Sequence, residues 1–538
     1  MTGELLRSRV EVSCTSRATA WCAGLVLLAF TLPSCSWFPA VDLAPTYTPP
    51  EYVVPPSWHG SSPFVEAKPA DSELRQDWWK LYDDPVLNGL IEQGVAANPD
   101  LQAAAERFVQ ARYVMMKARA QYLPQVGLDF GASHNRQSFE RLFRPENSPL
   151  QQGTVDLGGI AAWEPDFWSA LRNATRVEIY RAEERAADFG LARLSLQAEI
   201  AADYFTLRGY DAQVAIYSQS ITLYKQSLKL VEKQFAGKIA SALDVARVES
   251  LLFSTETKLA QIQGQRQVTE QAIAIILNMA PGSFTVEPVD DLRVATFTIP
   301  ATMPSTLLER RPDIAGMERR MAEANRVIGI ARAAFFPNVS FRLGGGYEDG
   351  GFNLFKLVNS FWSYGSTVSL PIFQGGYRRA QLQQSWSAYR ETEDQYRSMV
   401  LNAFREVENN LSLTNRLTVA VNRQDAAVGA NFRTQNMTME LYRGGLASSL
   451  ELIYAQLNTL TARIDLVVIK VDLLKSSVSL IRALGGGWNR NQLPKDDQIQ
   501  PFDTFQFVNL AKPKPIGGID VNAGNNWVNN DLTKPSVP

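Results

Sequence analysis

The chain has 538 residues, 45% of them hydrophobic, and its 53 basic and 55 acidic residues leave a formal net charge of −2. That balance gives no support to nucleic-acid binding, which draws on a basic face. Length alone would allow three or four domains, but an internal duplication described below argues for two fused halves of one architecture.

At the N-terminus, Arg7, Arg9 and Arg17 precede an apolar run over residues 18–32, the pattern of a secretory leader. The run is short and wrongly flanked for a transmembrane helix, and no other stretch offers 18 apolar residues, so any membrane crossing is not made on helices. The leader ends in Leu32-Pro33-Ser34-Cys35, which resembles the bacterial lipobox, with Pro33 departing from its usual pattern. Residues 1–34 are therefore expected to be removed and Cys35 to carry covalent lipid; ordinary cleavage nearby is the alternative. Cys14 and Cys22 lie upstream of the cut, so the mature chain would hold no disulfide. Ser36 after the cysteine resembles the sorting pattern for the outer membrane.

A Pro-rich stretch over 39–69 reads as an extended strap within a segment 35–84. Trp78 and Trp79 follow as a docking patch for a fold core, then a short helix near 85–97. Asn98-Pro99 is a helix entry, with an Asn cap and Pro in the first turn, and Pro124 is the stop. This stretch is written twice. Residues 98–131 return as 311–344, with Pro99 and Pro312 213 positions apart and Pro124 and Pro337 likewise. Gly237 and Gly444 recur at an offset of 207. Repeat 1 then covers 85–281 and repeat 2 304–485, with a linker at 282–303 and a C-terminal segment and tail at 486–538. Aligned on Pro165 and Pro371, the loop after each first strand differs in length while the long segment to the glycine turn is kept. A period above 200 residues is too long for a solenoid.

Within each repeat two segments alternate. Val126, Leu128, Phe130 and Ala132 share one face, and Val155, Leu157, Gly159, Ala161 and Trp163 another. In repeat 2 the sets are Val339, Phe341 and Leu343, then Tyr364, Ser366, Val368 and Leu370. The opposite faces are polar or glycine. Such strands, placed in hairpins at about 125–165 and 338–371, suit a transmembrane barrel wall; a half-buried soluble sheet is the bland alternative. Four strands cannot close a barrel, which needs about eight, and an open edge cannot face lipid. If these strands span, several chains share one barrel.

Each hairpin is followed by 65–70 residues without proline, from Trp168 and again from Gly375, long enough for a helix of roughly 100 Å. After the turns at Gly237 and Gly444 the chain doubles back. On the second return leg Ile453, Leu457, Leu460, Ile464, Val467, Val471, Leu474, Val478 and Ile481 step by four and three, a heptad that argues for antiparallel coiled-coil pairs. A rod-like scaffold would show the same pattern.

Read together, WWKLYDDPVLNGLI, RRPDIAGMERRMAEANRVIGIARAAFFP, FWSYGSTVSLPIFQGGYRRA, LYRGGLASSLELIYAQ and ALGGGW resemble the TolC-like outer-membrane channels, in particular the lipoprotein branch of OprM/NodT type. The resemblance spans about 78–488 in family order. It implies a mixed α and β membrane protein: a homotrimer whose four strands per chain form a 12-stranded antiparallel β-barrel continuing into a coiled-coil periplasmic tunnel. It also implies a passive exit duct for drugs or other small toxic compounds, partnered by a periplasmic adaptor protein and an inner-membrane transporter of the RND type. Its place would be the outer membrane of a Gram-negative bacterium. By position, Gly237, Lys238 and Ile239 and Gly444, Gly445 and Leu446 resemble the tips gripped by the adaptor. Asp244 and Glu451 look like the acidic ring of the periplasmic gate, with Tyr442 and Arg443 as its hydrogen-bonding partners. Tyr454 stands where some relatives carry a second acid. For the two acids, the simpler reading is a solvated charge at a helix N-terminus.

No Walker, zinc or nucleophile-elbow motif occurs, and His59 and His134 read as surface residues, so neither an enzyme nor a cofactor beyond the lipid is expected. The duct of a protein-secretion system and a non-conducting anchored scaffold are the competing readings.

Overall fold

The computed structural model describes residues 40–48, 77–140, 149–292, 309–351 and 355–493. Cys35, the leader, most of the strap, much of the linker and the tail beyond Leu493 lie outside the described residues. The chain forms two compact units, and each draws on both repeats. Among the described residues, one comprises 40–45, 117–140, 149–175, 326–351 and 355–383; the other comprises 46–48, 77–116, 176–292, 309–325 and 384–493.

The first unit holds the sheet. Strands β1 (Gln125–Arg136), β2 (Gln151–Trp163), β3 (Asn338–Asp349) and β4 (Ser360–Ser369) are hydrogen-bonded in chain order, every neighbour antiparallel. Their register puts the expected apolar set on one face. Leu128 lies opposite Gly159, Phe130 opposite Leu157, Ala161 opposite Leu343, and Leu343 opposite Tyr364. Most of this face is exposed, with Leu128 at 83%, Tyr364 at 76% and Val368 at 66%, while Val155 on it is buried. Stacked rings mark it at Trp163 with Phe341 and at Trp362 with Tyr364. The other face carries Asp129, Asp156, Arg342 and Glu348 among glycines and serines. The outer edges of β1 and β4 pair with no further strand among the described residues.

The strap touches this unit directly. Val41 N–H donates to the Phe167 carbonyl at 3.0 Å, while the Asp42 carboxylate accepts from Asn173 at 3.0 Å and Arg326 at 3.1 Å. Trp168 stacks on Phe336 at 4.5 Å and its indole N–H donates to the Pro337 carbonyl at 2.8 Å.

The second unit is built mainly from helices. α1 (Pro85–Ala97) and α2 (Pro99–Ala120) precede the first hairpin, and α3 (Ala170–Ala236) and α4 (Ala242–Ile276) follow it. α5 (Pro312–Ala333) precedes the second hairpin, and α6 (Tyr377–Arg443) and α7 (Ser449–Ala483) follow it. Asn98 caps α2 through its side-chain oxygen, which accepts from Leu101 N–H at 3.0 Å. α2 ends at Ala120, earlier than Pro124 demands, in a turn over 121–123.

The long segments match in length to the residue. α3 and α6 have 67 residues each, and α4 and α7 have 35. Both long helices and both return legs are related by 207 positions, so Ser169, at φ 54°, corresponds to Gly376, at φ 85°. Pro165 and Pro371, 206 apart, are therefore not structural equivalents, and the proline alignment is corrected by one residue.

The core of this unit gathers where α1 meets the helical legs. Trp78 and Trp79, at 1% and 6% exposure, pack with Leu87, Ile91, Ile200 and Tyr204. Full burial of a large side chain contributes about 1.5–3 kcal/mol. The Tyr82 hydroxyl meets Ser477 on α7 at 2.7 Å. Along α7, Leu460, Val467, Val471, Leu474, Val478 and Ile481 are buried, but Leu457 of the same heptad is 39% exposed.

Candidate functional site at the helix tips

The α3–α4 and α6–α7 turns have the same construction. At the first, the Lys233 carbonyl accepts from Gly237 N–H at 3.0 Å and the Gln234 carbonyl from Ile239 N–H at 2.8 Å. At the second, Glu440 accepts from Gly444 at 3.0 Å and Leu441 from Leu446 at 2.8 Å. The pattern is a Schellman-type stop, which places one residue in the left-handed region. At the second tip that residue is Gly445, at φ 73°, but at the first it is Lys238, at φ 61°, and not Gly237. The expectation that both turns rest on glycine holds only for the second. A side chain in this conformation costs about 1–2 kcal/mol.

Each return leg then opens on a capping box, in which a serine and an acid three residues on satisfy each other's backbone. Ser241 N–H donates to Asp244 at 3.0 Å, and Asp244 N–H to the Ser241 hydroxyl at 3.3 Å. Ser448 N–H donates to Glu451 at 2.8 Å, and Glu451 N–H to the Ser448 hydroxyl at 3.3 Å. Asp244 and Glu451 are thus matched helix-start acids. The signal was present in Ser-Ala-Leu-Asp and Ser-Ser-Leu-Glu, but the sequence reading did not use it.

Their outer contacts differ. The second oxygen of Asp244 accepts a short hydrogen bond from the hydroxyl of Ser449, on the other return leg, and lies 3.8 Å from Arg247. At the position matching Ser449 the first repeat has Ala242, so no hydroxyl is available there for Glu451 by the same symmetry. The Ser449 and Ser241 hydrogen bonds hold the Asp244 carboxyl at about 2, below its ordinary 3.8. Ser449 is the functional candidate that sequence reasoning missed.

Tyr442 is buried against Val231, Val248 and Leu452, and its hydroxyl donates to Gln234 on α3 at 2.6 Å. Burial, then the charge of Asp244, pushes its phenol above the ordinary value. Arg443 pairs instead with Glu440 at 2.9 Å on the surface. The structure therefore brings together Asp244, Ser449, Tyr442 and Gln234, and it shows neither Arg443 nor Tyr442 hydrogen-bonded to an acid of the expected ring. Tyr454 is 57% exposed. Outside the turns, Ile239 and Leu446 stand at matched positions, each 80% exposed, beside Leu243 at 58%. Among the described residues no group of His, Cys, Asp and Glu could hold a metal ion, and no helix is long and apolar enough to cross a membrane.

A chain that carries an open four-stranded sheet with one apolar face, and two hairpins of very long helices with capped tips, has the make-up of an outer-membrane channel. The family model described as outer membrane efflux protein matches residues 90–279 and 303–486. The chain belongs to that family, and its work is efflux through the outer membrane. The chain is 29% identical over 469 residues to the probable efflux pump outer membrane protein TtgC of Pseudomonas putida, covering 86% of this chain and 95% of that one. It is 27% identical to the cation efflux system protein CusC of Escherichia coli, over 86% of this chain and 98% of that one. Among solved structures, VceC of Vibrio cholerae matches with a TM-score of 0.71 at 26% identity, covering 77% of this chain and 99% of that one. The CmeC channel of Campylobacter jejuni shares the fold, with a TM-score of 0.77 at 22% identity over 84% of this chain and 96% of that one.

Proposed function

We propose that this protein is the passive outer-membrane exit duct of a tripartite efflux pump of the RND type, working as a homotrimer. The observation that carries the reading is the sheet: four strands with an apolar face and two open edges, which lipid does not tolerate unless other copies close it. Three chains would supply twelve strands, and their paired legs the tunnel. The chain conducts and does not drive; energy comes from the inner-membrane transporter. Cys35 adds a lipid anchor to the barrel's own hold on the membrane. Relatives are named for toluene, antibiotic, pyoverdine and cation export. The shared architecture therefore says little about cargo, and small toxic compounds are the class proposed here.

The tips are the proposed seat of the periplasmic adaptor, with Ile239, Leu446 and Leu243 offering apolar contacts around turns of exposed backbone. Gly445→Val places a β-branched side chain at φ 73°, at a cost of about 1–2 kcal/mol or more. The expected outcome is drug-sensitive cells, with the detergent-extracted protein still of three-chain native mass. Normal resistance would remove the tip from the docking site, and a native mass of one chain would overturn the duct itself.

The bond from Ser449 to Asp244 is the proposed latch of the closed tip. A carboxyl depressed in the folded state stabilises it above the ordinary value of 3.8 and loses that contribution as pH falls through about 2. Ser449→Ala removes the largest cause of the depression, so closure should fail at higher pH than in the parent. Conductance of the isolated channel, recorded from pH 5 to 2, should rise earlier in Ser449→Ala; identical curves would show that the bond does not hold the tip.

A further inference from the structure

The two repeats differ where the end of each return leg meets the start of the helix that enters each hairpin. In repeat 2 this junction is closed by Arg311, which is 7% exposed. Its guanidinium donates to Asp313 at 3.0 and 2.6 Å, to Glu406 on α6 at 2.8 Å and to the Ala483 carbonyl at the end of α7 at 3.1 Å. By the offsets of 213 before each hairpin and 207 after it, the same positions in repeat 1 are Asn98, Asp100, Glu199 and Ile276. Both carboxylates and the carbonyl are kept, and the cation is not. The shorter Asn98 makes only the backbone part of the contact, donating to the Ile276 carbonyl at 3.0 Å.

Where repeat 2 is filled by its own side chains, repeat 1 has a cavity of about 880 Å³ lined by these four residues and their neighbours. Three lining residues are cut back from their counterparts: Asn98 against Arg311, Ala104 against Met317 and Ala192 against Met399. Met317 is buried and Met399 packs against the same core. In the opposite sense, Leu196, Ile276 and Met279 outsize Ala403, Ala483 and Gly486, and give the cavity an apolar wall. Arg107 is the remaining charged lining residue, and it pairs with neither acid among the described residues. Asp100 and Glu199 against Arg107 leave one negative charge in excess.

We infer that this cavity binds a small organic cation, a guanidinium or amine on an apolar body, in the place that Arg311 fills in repeat 2. Two acids beside each other would by themselves be a solvated surface pair. Here the matched pair of acids holds a guanidinium in the other repeat, and a cavity stands where that group is missing. A planar guanidinium carries enough N–H donors to serve two carboxylates and a carbonyl together, as Arg311 does. The Ile276 carbonyl has a second lone pair beside its bond to Asn98. The volume suits a small molecule, and a bare metal ion would leave the wall of Leu196, Ile276 and Met279 uncovered. The site lies wholly within the helical unit and does not depend on how the duct assembles or closes.

Calorimetric titration of the detergent-extracted, full-length protein with phenethylguanidine tests the site, with phenethylurea as the neutral isostere. Saturable binding of one phenethylguanidine per chain is expected, and phenethylurea should bind roughly ten-fold more weakly or worse, the scale of a lost charged hydrogen bond. Asn98→Arg gives repeat 1 the guanidinium that repeat 2 already has, and should abolish binding with the native mass unchanged. Glu199→Gln should weaken binding by about ten-fold. Equal affinity for the two compounds, binding retained in Asn98→Arg, or unchanged affinity in Glu199→Gln would each overturn the site. No binding to the parent protein would overturn it as well, and would mean that a neighbouring chain covers the cavity.

Discussion

Asp211→Ala is expected to destabilise the helical unit by about 3–5 kcal/mol, the scale for breaking a buried ion pair by removing one partner. The Asp211 side chain is fully buried and accepts from two arginines, Arg208 at 3.0 Å on its own helix and Arg266 at 2.5 Å on α4. Both guanidiniums are nearly enclosed and both hold the chain that follows α4. Arg208 donates to the Glu287 carbonyl at 2.6 Å and Arg266 to the Val286 carbonyl at 2.7 Å, while Glu270 accepts from Val286 N–H at 2.7 Å. On the other side Arg208 reaches the Tyr204 hydroxyl, which donates to Asp84, the cap of α1. Glu270 stays paired with Arg266 at 3.3 Å, so removing Asp211 leaves two buried cations facing a single carboxylate. Denaturant or thermal unfolding of the detergent-extracted protein should show the loss, and Asp211→Asn, which keeps an acceptor, should lose less. An unchanged midpoint for Asp211→Ala would mean that the cluster is solvated in the assembled protein.

That cluster was not legible in the sequence, and the reason is physical. A charge inside a 67-residue helix has the same local signature whether it faces water or another helix; Arg208 and Asp211 read as an ordinary surface pair spaced by three. The strands were legible because alternation has a period of two and a single register then fixes all faces, as Leu128, Leu157 and Leu343 show. The long helices were legible from the absence of proline. Spacing says less about which neighbour a residue meets. Leu457 keeps the heptad and is still exposed, and Ser449 differs from Ala242 only by a hydroxyl whose partner lies on another leg. Lys238 in the left-handed region was hidden by the glycine beside it. Pro165 and Pro371 misled by one residue because a proline marks the end of a strand without fixing its register.

Gly346→Val should abolish the outer-membrane form of the protein while leaving the helical unit able to fold. Gly346 lies in β3 directly opposite Gly158, beside Gly345 opposite Gly159, so the two strands meet there on glycine alone. A Cβ built at Gly346 would stand 2.2 Å from the Leu157 carbonyl oxygen and 2.7 Å from the Gly158 Cα. Both obstacles are backbone, so no rotamer change relieves the clash; the strands must separate, breaking ladder hydrogen bonds at the middle of the seam between the two hairpins. In water a separated pair regains hydrogen bonds from solvent. In the hydrocarbon layer it does not, and each unsatisfied group costs several kcal/mol. The expected result is helical protein recovered from the periplasm or degraded, with none of three-chain native mass in the outer membrane. Gly365→Val is the control: Gly365 lies in β4, and a Cβ there meets nothing within 4 Å. If Gly346→Val inserted as well as Gly365→Val, β2 and β3 would not be held this closely in the membrane.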